Sequence, residues 1–187
     1  PCAKMFTKDK IFVSIAVSVP ISYYEGILGD DKKIIRALPN TPALVGEGMT
    51  LISYNKNLEE NDIEIVKGLF DSVGKTEVLE EKFMDEVTAV TSSSPAYVFM
   101  FIEAMADAAV LSGIKRDLAY KLAAQAVLGS AKMVLETGKH PGALKDQVCS
   151  PAGTTIEAVY SLEKTGFRYS IMEAMNECTK KARKIGE

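Results

Sequence analysis

The chain has 187 residues, 47% of them hydrophobic and 25% charged, a balance that yields one sizeable core or two small ones and excludes the disordered, collagenous and membrane-embedded classes. Twenty-two basic residues against 25 acidic ones leave a formal charge of −3, so no global field draws in nucleic acid or anionic lipid. The longest apolar run, Ile11 to Ile21, is about half of the ~20 residues a bilayer-spanning helix needs, and Ser14, Ser18 and Pro20 interrupt it, so no transmembrane segment is expected.

Up to about Phe83 short β-branched runs alternate with short amphipathic stretches, the pattern of a parallel α/β unit. Ile11 to Val19 is a continuous apolar run of strand length, and Pro20 sits well at the first turn of a helix through Ile27. Ile34 to Leu38 and Gly48 to Tyr54 read as further strands, Leu58 to Ser72 as an amphipathic helix, and Lys75 to Leu79 as a last strand. From Asp85 the sequence turns rich in Ala, Met and Leu, with helix-length segments between clear stop signals. The spacing predicts a helix beginning at Ser94-Pro95 and running to Gly113, a second from Arg116 to Gly138, and a short stretch after Pro141. Another is expected from Ser150-Pro151 to Leu162, and a last one from Arg168 to Ile185. So many small apolar positions on barely a hundred helical residues are seldom all buried within one chain, and oligomerisation is the expected remedy.

Candidate sites follow from residue type and place. Ser150-Pro-Ala-Gly-Thr-Thr-Ile156 puts a hydroxyl, a proline and a glycine at a helix start, leaving backbone N–H groups free beside two threonine hydroxyls. That is a ready anion site, and the same residues can equally serve as a plain helix cap. Thr91-Ser-Ser-Ser-Pro95 also offers hydroxyls at an expected helix start, where the two halves meet, and again a cap with a linker explains it as well. Pro39-Asn-Thr-Pro42 follows the carboxyl end of a predicted strand, where α/β folds place ligands, though a tight turn has the same composition. Glu103 and Asp107 share a helix face without a histidine nearby and read as a solvated or interface face. Gly46-Glu-Gly48 is not followed by the third glycine of a dinucleotide fingerprint. Cys2, Cys149 and Cys178 are too far apart for a C-x-x-C motif and fit free thiols of a reducing cytoplasm, and with His140 the single histidine, no His-based metal cluster is expected.

Several segments together resemble one family, the pyrroline-5-carboxylate reductases. They are Arg36-Ala-Leu-Pro-Asn-Thr-Pro-Ala-Leu-Val45 with Gly48-Met-Thr50, Ser92-Ser-Ser-Pro-Ala-Tyr-Val-Phe99 with Ile102-Glu-Ala-Met-Ala-Asp107, and above all His140-Pro-Gly-Ala-Leu-Lys-Asp-Gln-Val-Cys-Ser-Pro-Ala-Gly-Thr-Thr-Ile-Glu157. The resemblance runs from about Val13 onward. It implies an α/β remnant, the closing half of a Rossmann-type sheet that binds NADPH or NADH, over residues 1–84. An all-α dimerisation and substrate domain of the 6-phosphogluconate dehydrogenase C-terminal-like type is implied over 85–187. Family members begin with a strand, a glycine-rich turn and a helix that hold the pyrophosphate; this chain starts past them and so resembles a truncated reductase.

The implied activity is reduction of 1-pyrroline-5-carboxylate to L-proline by a cytoplasmic homodimer or a larger oligomer of dimers, with neither nucleic acid nor membrane as a partner. In family terms Ser150 and the segment Ala152, Gly153, Thr154 and Thr155 hold the substrate carboxylate, Thr155 sits at the ring nitrogen, and Asn40, Thr41 and Pro42 line the nicotinamide side. For the chain by itself, the missing nucleotide half points instead to a noncatalytic, dimerising fragment that binds small carboxylates. The chain also departs from the family pattern: Val17-Ser18 stands where Ala-Gly is usual, Ser92 and Ser94 where glycine is common, and Ala152 where glycine is frequent.

Overall fold

The computed structural model describes residues 6–185; Cys2 lies outside them. Four strands form one sheet in the order β1 (Ile11–Ser14), β2 (Lys33–Leu38), β3 (Gly48–Tyr54) and β4 (Gly74–Val78). Helix α1 (Ile21–Leu28) joins β1 to β2, and α2 (Glu60–Asp71) joins β3 to β4. These two pairs are parallel, as the alternating pattern implies, but β2 and β3 run antiparallel, with Ile35 opposite Tyr54 and Leu38 opposite Leu51. The all-parallel expectation fails at this step because only residues 39–47 separate β2 from β3, fewer than the dozen or so that a parallel crossover requires.

Alternation along the strands gives the sheet two buried faces. Ile35, Ala37 and Ile52 pack with Val66 of α2, while Leu38 and Leu51 on the other face pack with Met84. The beginnings of β3 and β4 approach closely: a Cβ on Gly74 would lie 2.0 Å from the Gly48 carbonyl oxygen, so only glycine fits there. Helix α2 starts with a reciprocal capping box between Glu59 and Asp62. Asp62 also meets Lys33 Nζ at 2.6 Å, and that contact, followed by the Glu59 amide, holds its carboxyl below the ordinary range.

The first strand is shorter than the apolar run predicts. It stops at Ser14, whose Oγ accepts from the Ala16 amide at 3.2 Å, and Ser18 then turns with a φ of 58°. Ser18 is buried and donates its hydroxyl to the Ala182 carbonyl at 2.9 Å, a tertiary contact that overrides local strand propensity.

Helices fill the rest of the chain. After a 3₁₀ turn, Glu81–Phe83, come α3 (Met84–Val87), a π turn (Thr88–Ser92), α4 (Ser94–Leu111), α5 (Arg116–Thr137), α6 (Pro141–Val148), α7 (Thr154–Lys164) and α8 (Phe167–Ile185). Contacts divide the chain into two compact units, one reaching Pro95 and taking in the residues from Ala174 on, the other being Ala96–Glu173.

The helix expected to begin at Ser94-Pro95 is α4, which starts at Ser94 and ends at Leu111. Just before it, 3₁₀, α and π turns run from Glu81 to Ser92, and the hydroxyls of Thr88, Thr91 and Ser94 donate back to the carbonyls of Met84, Val87 and Val90. Pro95 is accommodated by the π turn, in which the Ser93 amide reaches the Thr88 carbonyl.

Candidate functional site

The segment from Cys149 to Ile156 is built in the helical unit by the end of α6 and the start of α7. His140, at the start of α6, caps that helix by accepting the Gly142 amide on Nδ1 at 3.0 Å. Near the other end of α6, Asp146 beside Lys145 raises the ammonium's pKa above its usual value, chiefly through their hydrogen bond.

The chain then makes a tight turn in which the Gly153 amide bonds the Ser150 carbonyl at 3.0 Å. Ala152 takes a left-handed φ of 56°, which costs a residue with a Cβ about 1–2 kcal/mol and explains why the family resemblance has glycine here. Gly153 is favoured by a different constraint: a Cβ on it would lie 2.3 Å from Ser150 Oγ, which would have to turn away.

Helix α7 begins at Thr154, four residues later than the sequence spacing places it, and its N-cap is Gly153, with no side-chain cap bond. Neither Ser150 nor Thr154 is therefore the cap. The first-turn amides of Thr154, Thr155 and Ile156 have no capping side chain and carry the positive end of the helix dipole beside the Ser150, Thr154 and Thr155 hydroxyls. Thr155 is half-buried and Ser150 and Thr154 are exposed. Ser150, Ala152, Gly153, Thr154 and Thr155 are thus brought together in one turn at the start of α7.

Asn40, Thr41 and Pro42 lie in the sheet unit, directly after β2. They lead into the 3₁₀ turn Thr41–Val45, at the sheet end where the loop after β1 also emerges. Thr41 is exposed and Pro42 half-buried. The Asn40 side chain is committed: Nδ2 donates to the Thr91 carbonyl at 2.9 Å, and Oδ1 accepts the Met49 amide at 2.9 Å.

Sequence reasoning missed the polar lacing of this unit. Arg36 is buried, bonds Asp85 at 2.7 Å and lies 3.7 Å from Glu81; Glu81 in turn accepts the Ile21 amide at 2.7 Å. A charged residue inside an otherwise apolar strand was the available signal. Ser92, one of the serines at a glycine position, has a buried Oγ without a hydrogen-bond partner among the described residues.

The family model for pyrroline-5-carboxylate reductase dimerisation matches residues 81–185. The pyrroline-5-carboxylate reductase of Escherichia coli (strain K12) is 57% identical over 180 residues, which is 96% of this chain and 67% of that protein. The chain belongs to the pyrroline-5-carboxylate reductase family. Among solved structures, a pyrroline-5-carboxylate reductase from Coxiella burnetii matches with a TM-score of 0.93 and 31% identity, over all of this chain and 70% of that one. The Plasmodium falciparum pyrroline carboxylate reductase, solved with NADP bound, gives 0.90 and 38%, over 98% of this chain and 74% of that one.

The match to the dimerisation model covers helices that leave Phe99, Met100, Leu111 and Leu135 exposed, and it supports oligomerisation through this part of the chain. It also bears on Glu81–Leu111, which by length and composition alone passes for a membrane span although the sequence predicts none. That length counts the turns before Ser93 together with α4, and the whole stretch falls within the dimerisation model's match.

Proposed function

We propose that this chain carries the substrate turn and the nicotinamide-side loop of an enzyme that reduces 1-pyrroline-5-carboxylate to L-proline with NADPH or NADH, acting in the cytoplasm as a homodimer or an oligomer of dimers. In this reading residues 1–84 belong to the nucleotide-binding domain and 85–187 to the dimerisation and substrate domain. The observation that carries it is the turn before α7: uncapped amides, three hydroxyls and a left-handed Ala152 within six residues.

A nicotinamide dinucleotide fits this chain at one end only. The α1 N-terminus offers no pyrophosphate cradle, because Pro20 lacks an N–H and the Glu81 carboxylate already holds the Ile21 amide. The loop after β1 instead presents the apolar side chains of Ile15 and Val17, and the loop after β2 presents Thr41 and Pro42. These would hold the nicotinamide end. The same occupied helix end favours a second reading for the chain by itself, a dimer that binds small carboxylates without turnover.

When bound, the reduced nicotinamide supplies the hydride. The amides of Thr154 to Ile156 and the Ser150 hydroxyl bind the substrate carboxylate, as a helix start favours an anion. Thr155 Oγ1 hydrogen-bonds the ring nitrogen and fixes the imine carbon for attack. No strong general acid is needed, since a cyclic imine can arrive already protonated.

The test is kinetic, in the reductase with a complete nucleotide-binding domain. Thr155→Val keeps the shape and removes the hydroxyl, so hydride transfer should slow by the ~1–3 kcal/mol of one directed hydrogen bond, with carboxylate affinity little changed. Thr154→Val is the control, and a crippled Thr154→Val beside a normal Thr155→Val would refute the assignment.

A further inference from the structure

Proline at position 95 has no N–H to give the carbonyl four residues back, the bond an α-helix would make to Thr91. In the middle of a helical run that extends from Glu81 to Leu111, this leaves the Thr91 carbonyl short of its ladder partner. The gap is met from 51 residues away in sequence, by Asn40 Nδ2 at 2.9 Å. The other end of the same amide accepts the Met49 amide near the start of β3 at 2.9 Å. Asn40 therefore uses its donor and its acceptor at once, on two backbone groups that lie nine and 51 residues further along the chain. It is also the N-cap of the Thr41–Val45 turn yet makes no side-chain cap bond there, because both ends of the amide are already engaged.

We infer that Asn40 is a positioning residue: it sets the place of the Thr41-Pro42 loop by clamping it to the helical turn at Thr91, and Pro95 creates the acceptor that makes the clamp possible. This rests on the functional reading above, in which the Thr41-Pro42 loop faces the nicotinamide. It assigns the Asn40 side chain a backbone partner in that loop's support. The chemistry discriminates among replacements. Aspartate keeps the acceptor for Met49 but exchanges the donor for a charged oxygen facing the Thr91 carbonyl, so the contact becomes repulsive. Pro95→Ala returns an N–H to the helix and gives Thr91 a ladder partner of its own, which makes the Asn40 donor less needed.

The experiment is a double-mutant cycle of Asn40→Asp and Pro95→Ala in the reductase with a complete nucleotide-binding domain. It is read by the KM for NADPH, the KM for the imine, and urea denaturation. Asn40→Asp is expected to lower kcat/KM for NADPH by about 10- to 100-fold, the range for one buried polar group left without its partner. The KM for the imine should move much less. In the Pro95→Ala background the same substitution should cost at least several-fold less. A folded Asn40→Asp enzyme with unchanged NADPH kinetics would overturn the inference. So would a loss of equal size in both backgrounds, which would mean that Asn40 meets the nucleotide directly. If Asn40→Asp fails to fold, recovery of the fold on adding Pro95→Ala supports the clamp, and no recovery contradicts it. Should the parent protein not reduce the imine at all, the functional reading falls, and the denaturation cycle still decides the clamp by the presence or absence of coupling.

Discussion

In the sheet unit Ile34, Ile35 and Ile52 have no exposed surface, whereas in Ala96–Glu173 the fully buried residues are three alanines, Ala106, Ala119 and Ala123. The helical unit meanwhile leaves Phe99, Met100, Leu111 and Leu135 largely in the open, Leu111 at 91%. One unit closes its own core by alternation on two sheet faces. The other leaves many of its large apolar residues exposed. A helical stretch that buries only its smallest side chains is built for close backbone approach inside and for a partner outside. The dimerisation match, residues 81–185, takes in the whole of this unit.

The strongest way to break this contrast is a charge on an unfilled face. Leu122 on α5 is half-exposed, so Leu122→Asp should leave the monomer helical yet weaken self-association by about 100-fold or more, the cost of an unpaired charge buried at an interface. Leu69→Asp on α2 in the sheet unit, where the side chain is more exposed still, should leave the assembly intact. Equilibrium sedimentation of the two variants measures the difference.

Within the self-contained unit the largest effect should come from its buried charge. Arg36→Met keeps the bulk but strands Asp85 and Glu81, and should lower unfolding stability by about 3 kcal/mol in urea titrations. Asp85 is partly exposed, so Asp85→Asn should cost less.

Smallest are the two left-handed residues that carry a Cβ among the described ones, one in each unit. Ala152→Gly relieves a φ of 56° with no bond lost and should raise stability by about 1 kcal/mol. Ser18→Gly relieves a similar φ but deletes the bond to the Ala182 carbonyl, and should come out near neutral by calorimetry.

Much of the fold was legible where one period dominates. The strand Gly48–Tyr54 and the helix from Arg116 to its stop at Gly138, which adopts a left-handed φ of 61°, follow the sequence reading closely. What could not be read depends on distant partners. Ser18 ends the first strand early through a contact 164 residues away. Ser92 to Pro95 has the composition of a cap, yet the Ser94 hydroxyl bonds back to the Val90 carbonyl and the Asn40 side chain holds the Thr91 carbonyl, partners that the sequence does not reveal. The order of chain direction at β2 and β3 was implicit in the shortness of residues 39–47, a signal that strand patterns do not carry. At the candidate site the residue types were visible in sequence, and the helix start was misplaced because Ser150-Pro151 imitates a cap that Gly153 provides.

The central claim is that the helical unit finds the rest of its core in a second copy, and sedimentation equilibrium of the unmodified protein tests it most directly. Between about 100 µM and 0.1 µM the mass should stay that of a dimer or larger and fall toward that of one chain only at the lowest concentrations, with a melting temperature that climbs with concentration. A compact monomer across that range, melting at one temperature throughout, would contradict it.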